Sequence, residues 1–332
     1  MFNIVGWLLF NSDKMIQTKS VILKPAPIVQ SRAINDYCGE TNVSIQDCSK
    51  VRTQAGFSSG TFKDYRSSRL VNDFGERNPV LYSIVYTTAG YSLGNIVREY
   101  NQLNGFNEET GIKVVSVIDQ GLDARIKGLL SECSELVEVS LDERVYSRQE
   151  IRGIVTEAIG EKGREFIDVE NYDFSYIQLA EAVLDFNPDY VFMPLGGGEA
   201  VNSVLNALER VRKTGREVPR LVATTINASI YGGRTQESSL AEKLATPFSG
   251  LFEKVSGRIG KFGEIVVVSE DEIMPAYFAL QEAGIKAEPS AGVAFAAARK
   301  TEIPEGKSIL IVNSGSGIYF DESNNLRGAI WQ

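Results

Sequence analysis

The 332-residue chain contains no histidine. That absence removes Ser-His-Asp and Cys-His nucleophile systems and the commonest nitrogen ligand of zinc and iron, so no metal site is expected. Acid–base work falls to Lys, Asp, Glu, Tyr, Cys or a bound cofactor. Cysteine is scarce: Cys38, Cys48 and Cys133 are odd in number and widely spaced. They suit neither a disulfide framework nor a metal knuckle, and read as thiols in a reducing, cytoplasmic setting. Basic runs are lacking too. Lys+Arg 34 against Asp+Glu 43 leaves a net charge of −9, the wrong sign for a nucleic-acid or membrane-surface binder. No apolar run is long enough to span a bilayer. The opening Phe2-Asn3-Ile4-Val5-Gly6-Trp7-Leu8-Leu9-Phe10 has no basic flank and no small-residue cleavage site. It is therefore read as a segment that packs on the body or on a partner subunit, not as a signal peptide. Neither a Walker A loop nor Gly-x-Gly-x-x-Gly occurs, which leaves a nucleotide-binding protein as the weakest reading.

What remains is an ordinary globular composition, 43% hydrophobic and 23% charged, at a length that suits about two domains. Pro25 and Pro27 set an extended segment over residues 21–28. A short strand is expected at 49–53 and a helix at 62–73. Strand-like runs at 80–86, 112–118 and 136–139 then alternate with helical patterns at 92–103, 123–130 and 148–159. The alternation restarts with helices at 176–186, 200–212, 271–282 and 291–299, and strands at 188–194, 220–225, 265–268 and 308–312. Residues 226–261 are Gly/Ser-rich and assign to neither period. Such alternation predicts an α/β protein with parallel sheets in two lobes, and ligands bound at the carboxyl ends of the strands.

Four stretches fall at such ends. Ser58-Ser59-Gly60-Thr61-Phe62-Lys63-Asp64 is a small-residue loop entering a helix, with Lys63 in the first turn. The positive potential and unpaired amides of a helix start favour anions and ease deprotonation of an amine held there. A solvated surface lysine is the plain alternative. Leu195-Gly196-Gly197-Gly198-Glu199-Ala200 follows a core strand and opens a helix, and its glycines can wrap backbone N–H groups around one phosphate. The plain alternative is a tight strand-to-helix turn. Asn313-Ser314-Gly315-Ser316-Gly317 exposes a hydroxyl at the end of the last strand, or is simply a Gly-rich turn. Thr87-Thr88-Ala89-Gly90-Tyr91-Ser92 joins a strand to a helix, with Ser92 as the expected N-cap and Thr88, Ala89, Gly90 and Ser92 as candidate carboxylate holders. An activated lysine beside a single-phosphate cup implies a pyridoxal 5'-phosphate Schiff base.

These motifs resemble the fold-type-II pyridoxal-phosphate enzymes, the group of threonine synthase, cysteine synthase and serine/threonine dehydratase. The lysine block Gly60-Thr61-Phe62-Lys63-Asp64-Tyr65 is similar to the Gly-Ser-Phe-Lys-Asp-Arg of threonine synthase. Pro25-Ala26-Pro27-Ile28 resembles the family's early Thr-Pro-Leu segment. The order of lysine, substrate loop, glycine cup and Ser-Gly end is also the family's, over nearly the whole chain.

The resemblance implies two three-layer αβα lobes, tryptophan-synthase-beta-like, with the active site in the cleft between them. Residues 1–75 and 165–332 would form the large cofactor-binding lobe, and 76–164 the small one. Lys63 would hold the cofactor and shuttle protons. Gly196, Gly197, Gly198, Glu199 and Ala200 would surround its phosphate. Ser314 would meet the pyridine nitrogen, and Tyr91 would stand where the family places an Asn on the cofactor hydroxyl. Tyr91, Glu199 and Tyr65 depart from the family's usual residues. The implied activity is elimination or replacement on a small amino-acid substrate by a homodimer. Threonine-synthase-like conversion of O-phosphohomoserine stands first, cysteine-synthase-like β-replacement second, and a non-catalytic relative serving as a binding or partner subunit third.

Overall fold

The fold is that of a computed structural model. It describes residues 18–39, 42–85, 87–141, 146–160, 163–236, 238–320 and 326–328. The apolar opening segment lies outside these.

In chain order, the first part contributes β1 (Leu23–Lys24), β2 (Ile28–Val29), α1 (Arg32–Cys38), β3 (Val43–Asp47), β4 (Arg52–Thr53) and α2 (Lys63–Phe74). Next come β5 (Val80–Ile84), α3 (Thr88–Asn104), β6 (Lys113–Asp119), α4 (Ala124–Ser131), β7 (Glu135–Val139), α5 (Arg148–Ile159) and β8 (Phe166–Asp168). The remainder holds α6 (Ile177–Phe186), β9 (Tyr190–Pro194), α7 (Glu199–Lys213), β10 (Arg220–Ile226), α8 (Phe252–Ile259), β11 (Gly263–Val268), α9 (Glu270–Glu282), α10 (Pro289–Lys300) and β12 (Ile309–Asn313).

Two sheets organise these elements. The six-stranded sheet runs β11-β10-β9-β12-β3-β2, parallel except for the edge strand β2. The four-stranded sheet runs β7-β6-β5-β8 and is wholly parallel. Parallel strands covered on both faces need apolar side chains on both faces, and each sheet has them. On one face of the large sheet, Ile45, Phe192, Val222 and Ile311 pack against α1, α9 and α10. On the other, Met193, Leu195, Ala223 and Val312 meet α6, α7 and α8. The small sheet is covered by α2 and α3 through Leu70, Val71 and Ile96, and by α5 through Ile151 and Val155. The helix that carries Lys63 therefore buries its far end in the core of the small sheet, while β3, earlier in the same stretch of chain, belongs to the large one. The small sheet extends to Asp168.

Several elements differ from the sequence expectation. β3 was not foreseen, because Ser44, Gln46 and Asp47 break its apolar pattern; all three are buried, with Ser44 and Asp47 held by partners such as Gln30, Ser49 and Asn313. The strand expected at 49–53 shrinks to β4 after a 3-10 turn, Cys48–Lys50, which the Asp47 carboxylate caps at Ser49 N. The unassigned interval resolves into short turns and α8.

The alanine-rich α10 is buried from Ser290 to Ala298: Ala291, Ala294 and Ala297 let it approach the sheet closely, and Phe295 fills the space between. Phe295→Ala should lower the unfolding free energy by about 3–5 kcal/mol, the usual cost of emptying such a site, as read from the urea midpoint at constant m-value.

Candidate active site

β9 and β12 are neighbours in the large sheet, yet β9 continues through α7 to β10 on its other side. Connections that diverge from adjacent strands open a crevice at their carboxyl ends. The glycine cup leaves β9 there, and Ser314 leaves β12 there. Lys63, Gly196, Gly197, Gly198, Glu199, Ala200 and Ser314 line one cavity at this point. The sequence motifs of both halves of the chain thus converge on a single space.

The lysine loop is fixed by backbone. Phe62 N donates to Ser314 O at 3.1 Å, Ser316 N donates to Gly60 O at 3.0 Å, and Thr61 bridges Gly315. Gly315 has φ +113, and a Cβ there would lie 2.0 Å from the Gly60 carbonyl oxygen, so only glycine permits the approach. Lys63 is the first residue of α2, with its amide donating to Thr61 Oγ1 at 3.3 Å. Desolvation pushes its ammonium pKa down from the usual 10.5 to about 8; Lys243 and Arg66 push the same way, while Glu288 and Glu199 oppose. A neutral amine is thereby within reach near physiological pH.

Asp64, the next residue, is buried and accepts from Ser59 N at 2.8 Å and Ser92 Oγ at 2.7 Å. Burial lifts its pKa to about 6 even so. Ser92 Oγ also lies 2.7 Å from Ser67 Oγ. These bonds correct the expected N-cap role of Ser92. α3 begins four residues earlier, at Thr88, because Gly90 lets the helix start directly against β5: a Cβ on Gly90 would lie 2.9 Å from Val85 Cγ2. Ser92 is one turn inside the helix, and it ties the small-sheet helix to the lysine loop.

Thr88, Ala89 and Gly90 form the first turn of α3, whose Thr87 side chain makes no capping bond. They do not line the cavity around Lys63. Tyr91 does not line it either. Its ring packs 5.9 Å from Phe57 and joins an apolar cluster with Val85, Ile118 and Leu130, where burial raises its hydroxyl pKa.

The cup is shaped for close backbone approach. Gly198, at the N-cap of α7, has φ +97, and a Cβ there would lie 2.7 Å from the Tyr231 hydroxyl. Ser249 Oγ donates to Gly197 O at 2.6 Å and holds the loop from behind. A glycine-lined turn on a fifteen-residue helix, facing a half-buried amine of lowered pKa and a nearly buried Ser314 hydroxyl, fits a phosphorylated aldehyde. One group runs against that fit in charge: the Glu199 carboxylate folds over the loop, 3.3 Å from where a Gly197 Cβ would be.

The cavity also holds Lys243, Glu288, Ser290 and Tyr176, which sequence reasoning did not single out. Glu288-Pro289 ahead of the alanine run was a legible helix start; Lys243 lies in an interval without periodicity and gave no signal. Burial raises the Glu288 carboxyl pKa, with Lys63 and Lys243 opposing. A second depression, lined by Glu209, Arg212 and Lys261 among others, contains none of the motif residues.

The fold recurs in known structures. Maize serine racemase superposes with a TM-score of 0.66 at 16% identity, over 90% of this chain and 89% of that one. The serine racemase of Dictyostelium discoideum gives 0.66 at 17%, over 89% and 93%. A T.th. threonine deaminase gives 0.64 at 15%, over 90% and 94%. No curated protein matches the chain in sequence. The family described as "Pyridoxal-phosphate dependent enzyme" matches residues 109–315, well over half of the chain. The chain therefore belongs to the pyridoxal-phosphate-dependent enzyme family, in its fold-type-II branch, with pyridoxal 5'-phosphate as cofactor. That match includes the glycine cup and Ser314 and begins after Lys63, whose assignment rests on the geometry above.

The lowered amine pKa sets a pH expectation. Modification of Lys63 by an amine-directed reagent, followed by peptide mass spectrometry on cofactor-free protein, should rise through a midpoint near pH 8. Exposed lysines should follow a midpoint near their ordinary value of about 10.4.

Proposed function

We propose that this chain is a lyase-type pyridoxal-phosphate enzyme that eliminates or replaces a substituent on the side chain of an amino acid. O-Phosphohomoserine, as in threonine synthase, is the first substrate to test, and cysteine-synthase-like β-replacement the second. The observation that carries the reading is the meeting of Lys63, the Gly196–Gly198 cup and Ser314 around one cavity. When bound, the cofactor supplies an electron sink for the bond broken at the substrate α-carbon.

Each residue then has a definable task. Lys63 holds the cofactor, and its Nζ, free to be neutral near pH 8, takes the α-proton and can return it. The cup amides and the start of α7 bind the phosphate. Ser314 Oγ, which lines the cavity, would meet the pyridine nitrogen; a hydroxyl there would leave that nitrogen less protonated than a carboxylate would, which suits side-chain elimination and replacement. Amides of the first turn of α3, at Thr88, Ala89 and Gly90, hold the substrate carboxylate once that helix draws toward the cavity. Ser92 supports them indirectly, through Asp64. Asp64 and the Thr61–Gly315 bridge position Lys63 without touching substrate.

Residues 1–75 and 165–332 as a cofactor lobe and 76–164 as a substrate lobe belong to the same reading, as do a homodimer and a cytoplasmic setting. Three widely spaced cysteines, Cys38, Cys48 and Cys133, suit a reducing compartment. Among the described residues, no helix is long and apolar enough to cross a membrane. The Glu199 carboxylate at the cup favours one further reading, a relative that has kept the fold without turnover.

Incubation with pyridoxal phosphate should give a visible absorption band that Lys63→Ala abolishes. Amino acids offered singly should then shift or bleach it, with release of phosphate from O-phosphohomoserine if the first assignment holds. A band that no amino acid moves would leave the non-catalytic relative.

A further inference from the structure

Two cations near the site have no task in the chemistry above: Lys243, which pairs with Glu242 at 2.8 Å, and Arg66. Arg66 lies on α2 one turn past Lys63, about 4.5 Å further along the axis at 1.5 Å per residue, and on the same side of the helix. Only 4% of it is exposed. Its Nε and Nη2 are fully buried, and neither meets a hydrogen-bond partner among the described residues. Two buried guanidinium nitrogens without hydrogen-bond partners are costly, and a bound anion is one way such groups are completed.

The surroundings place it beside the cavity without making it part of the wall. Arg66 acts electrostatically on Lys63 and on Tyr176, both of which line the cavity. It also acts on Glu170, in the turn after β8. Burial, with Glu199 and Asp168, lifts the Glu170 carboxyl to about 7 against the opposing pull of Arg66 and Arg148.

We infer that Arg66 is a specificity-determining residue: the buried guanidinium one helical turn from Lys63 receives an anionic group at the far end of the substrate's side chain. A carboxylate or phosphate two to four bonds beyond the α-carbon, as in aspartate, O-phosphoserine or O-phosphohomoserine, is of the length to pass from Lys63 toward the next turn of α2. This rests on the proposed function and narrows it to amino acids with an anionic side chain. Carboxylate and phosphate share the chemistry of planar or tetrahedral oxyanions bound bidentately by arginine.

The test uses the full-length protein loaded with pyridoxal phosphate, and reads the concentration of added amino acid that half-shifts the visible band. Aspartate is compared with asparagine, and O-phosphoserine with serine, so that the two arms separate carboxylate from phosphate. The anionic member of at least one pair should bind about 10- to 100-fold more tightly, the range one charge-assisted hydrogen bond commands. Arg66→Gln should erase that preference while leaving the band itself and the half-shift by the neutral member unchanged, and Arg66→Lys should restore part of it. No preference in the unaltered protein overturns the inference without any variant having to fold. Equal loss for charged and neutral ligands in Arg66→Gln overturns it too, and assigns Arg66 a structural role. If no band forms with pyridoxal phosphate, the proposed function itself falls, and this inference with it.

Discussion

The site depends on a short seam of backbone. Gly60, Thr61 and Phe62 are bonded to Ser314, Gly315 and Ser316, so the loop that delivers the lysine is held to the end of the last strand of the large sheet. Without that seam the amine would be carried only by α2, whose other end is buried in the small sheet. The seam sets the amine facing the glycine turn that leaves the neighbouring strand. Desolvation at this junction then does what no histidine is present to do: it provides a base that is neutral near physiological pH.

A second set of bonds works across the lobes. Asp64 takes one hydrogen bond from the lysine loop and one from Ser92 in α3, and Ser67 completes the cluster. Each hydroxyl has a partner, as buried polar groups require. The consequence is that α2 and α3 are joined beside the amine by buried hydrogen bonds, while the backbone seam joins the same loop to the large sheet.

Much of this was legible from residues alone. The strand–helix alternation placed β5, β6, β9, β10 and β12 to within a few positions, because parallel strands buried on both faces leave continuous apolar runs. The lysine block, the glycine run and the Ser-Gly end were readable because each is a local backbone requirement written in small residues. β3 escaped because buried Ser44, Gln46 and Asp47 interrupt its apolar run, and a partner such as Asn313 on the neighbouring strand is distant in sequence. Ser92 was misplaced because a serine after small residues looks like a cap, and only the tight start at Gly90 shows that the helix is already under way. Lys243, Glu288 and Tyr176 reach the cavity from turns and from a helix start whose positions are decided by tertiary packing. Tyr91 has a partner, Phe57, that spacing could not have named.

The three contacts that join Gly60–Phe62 to Ser314–Ser316 are all between main-chain atoms, and the glycine at their centre is demanded by shape. Such a junction is blind to side-chain identity on either side of it. Main-chain bonds of this kind do not themselves depend on the side chains at Thr61, Phe62, Ser314 and Ser316. A seam of this kind can persist while the sequence around it diverges, and the chain shares about one residue in six with the maize serine racemase over nine-tenths of its own length.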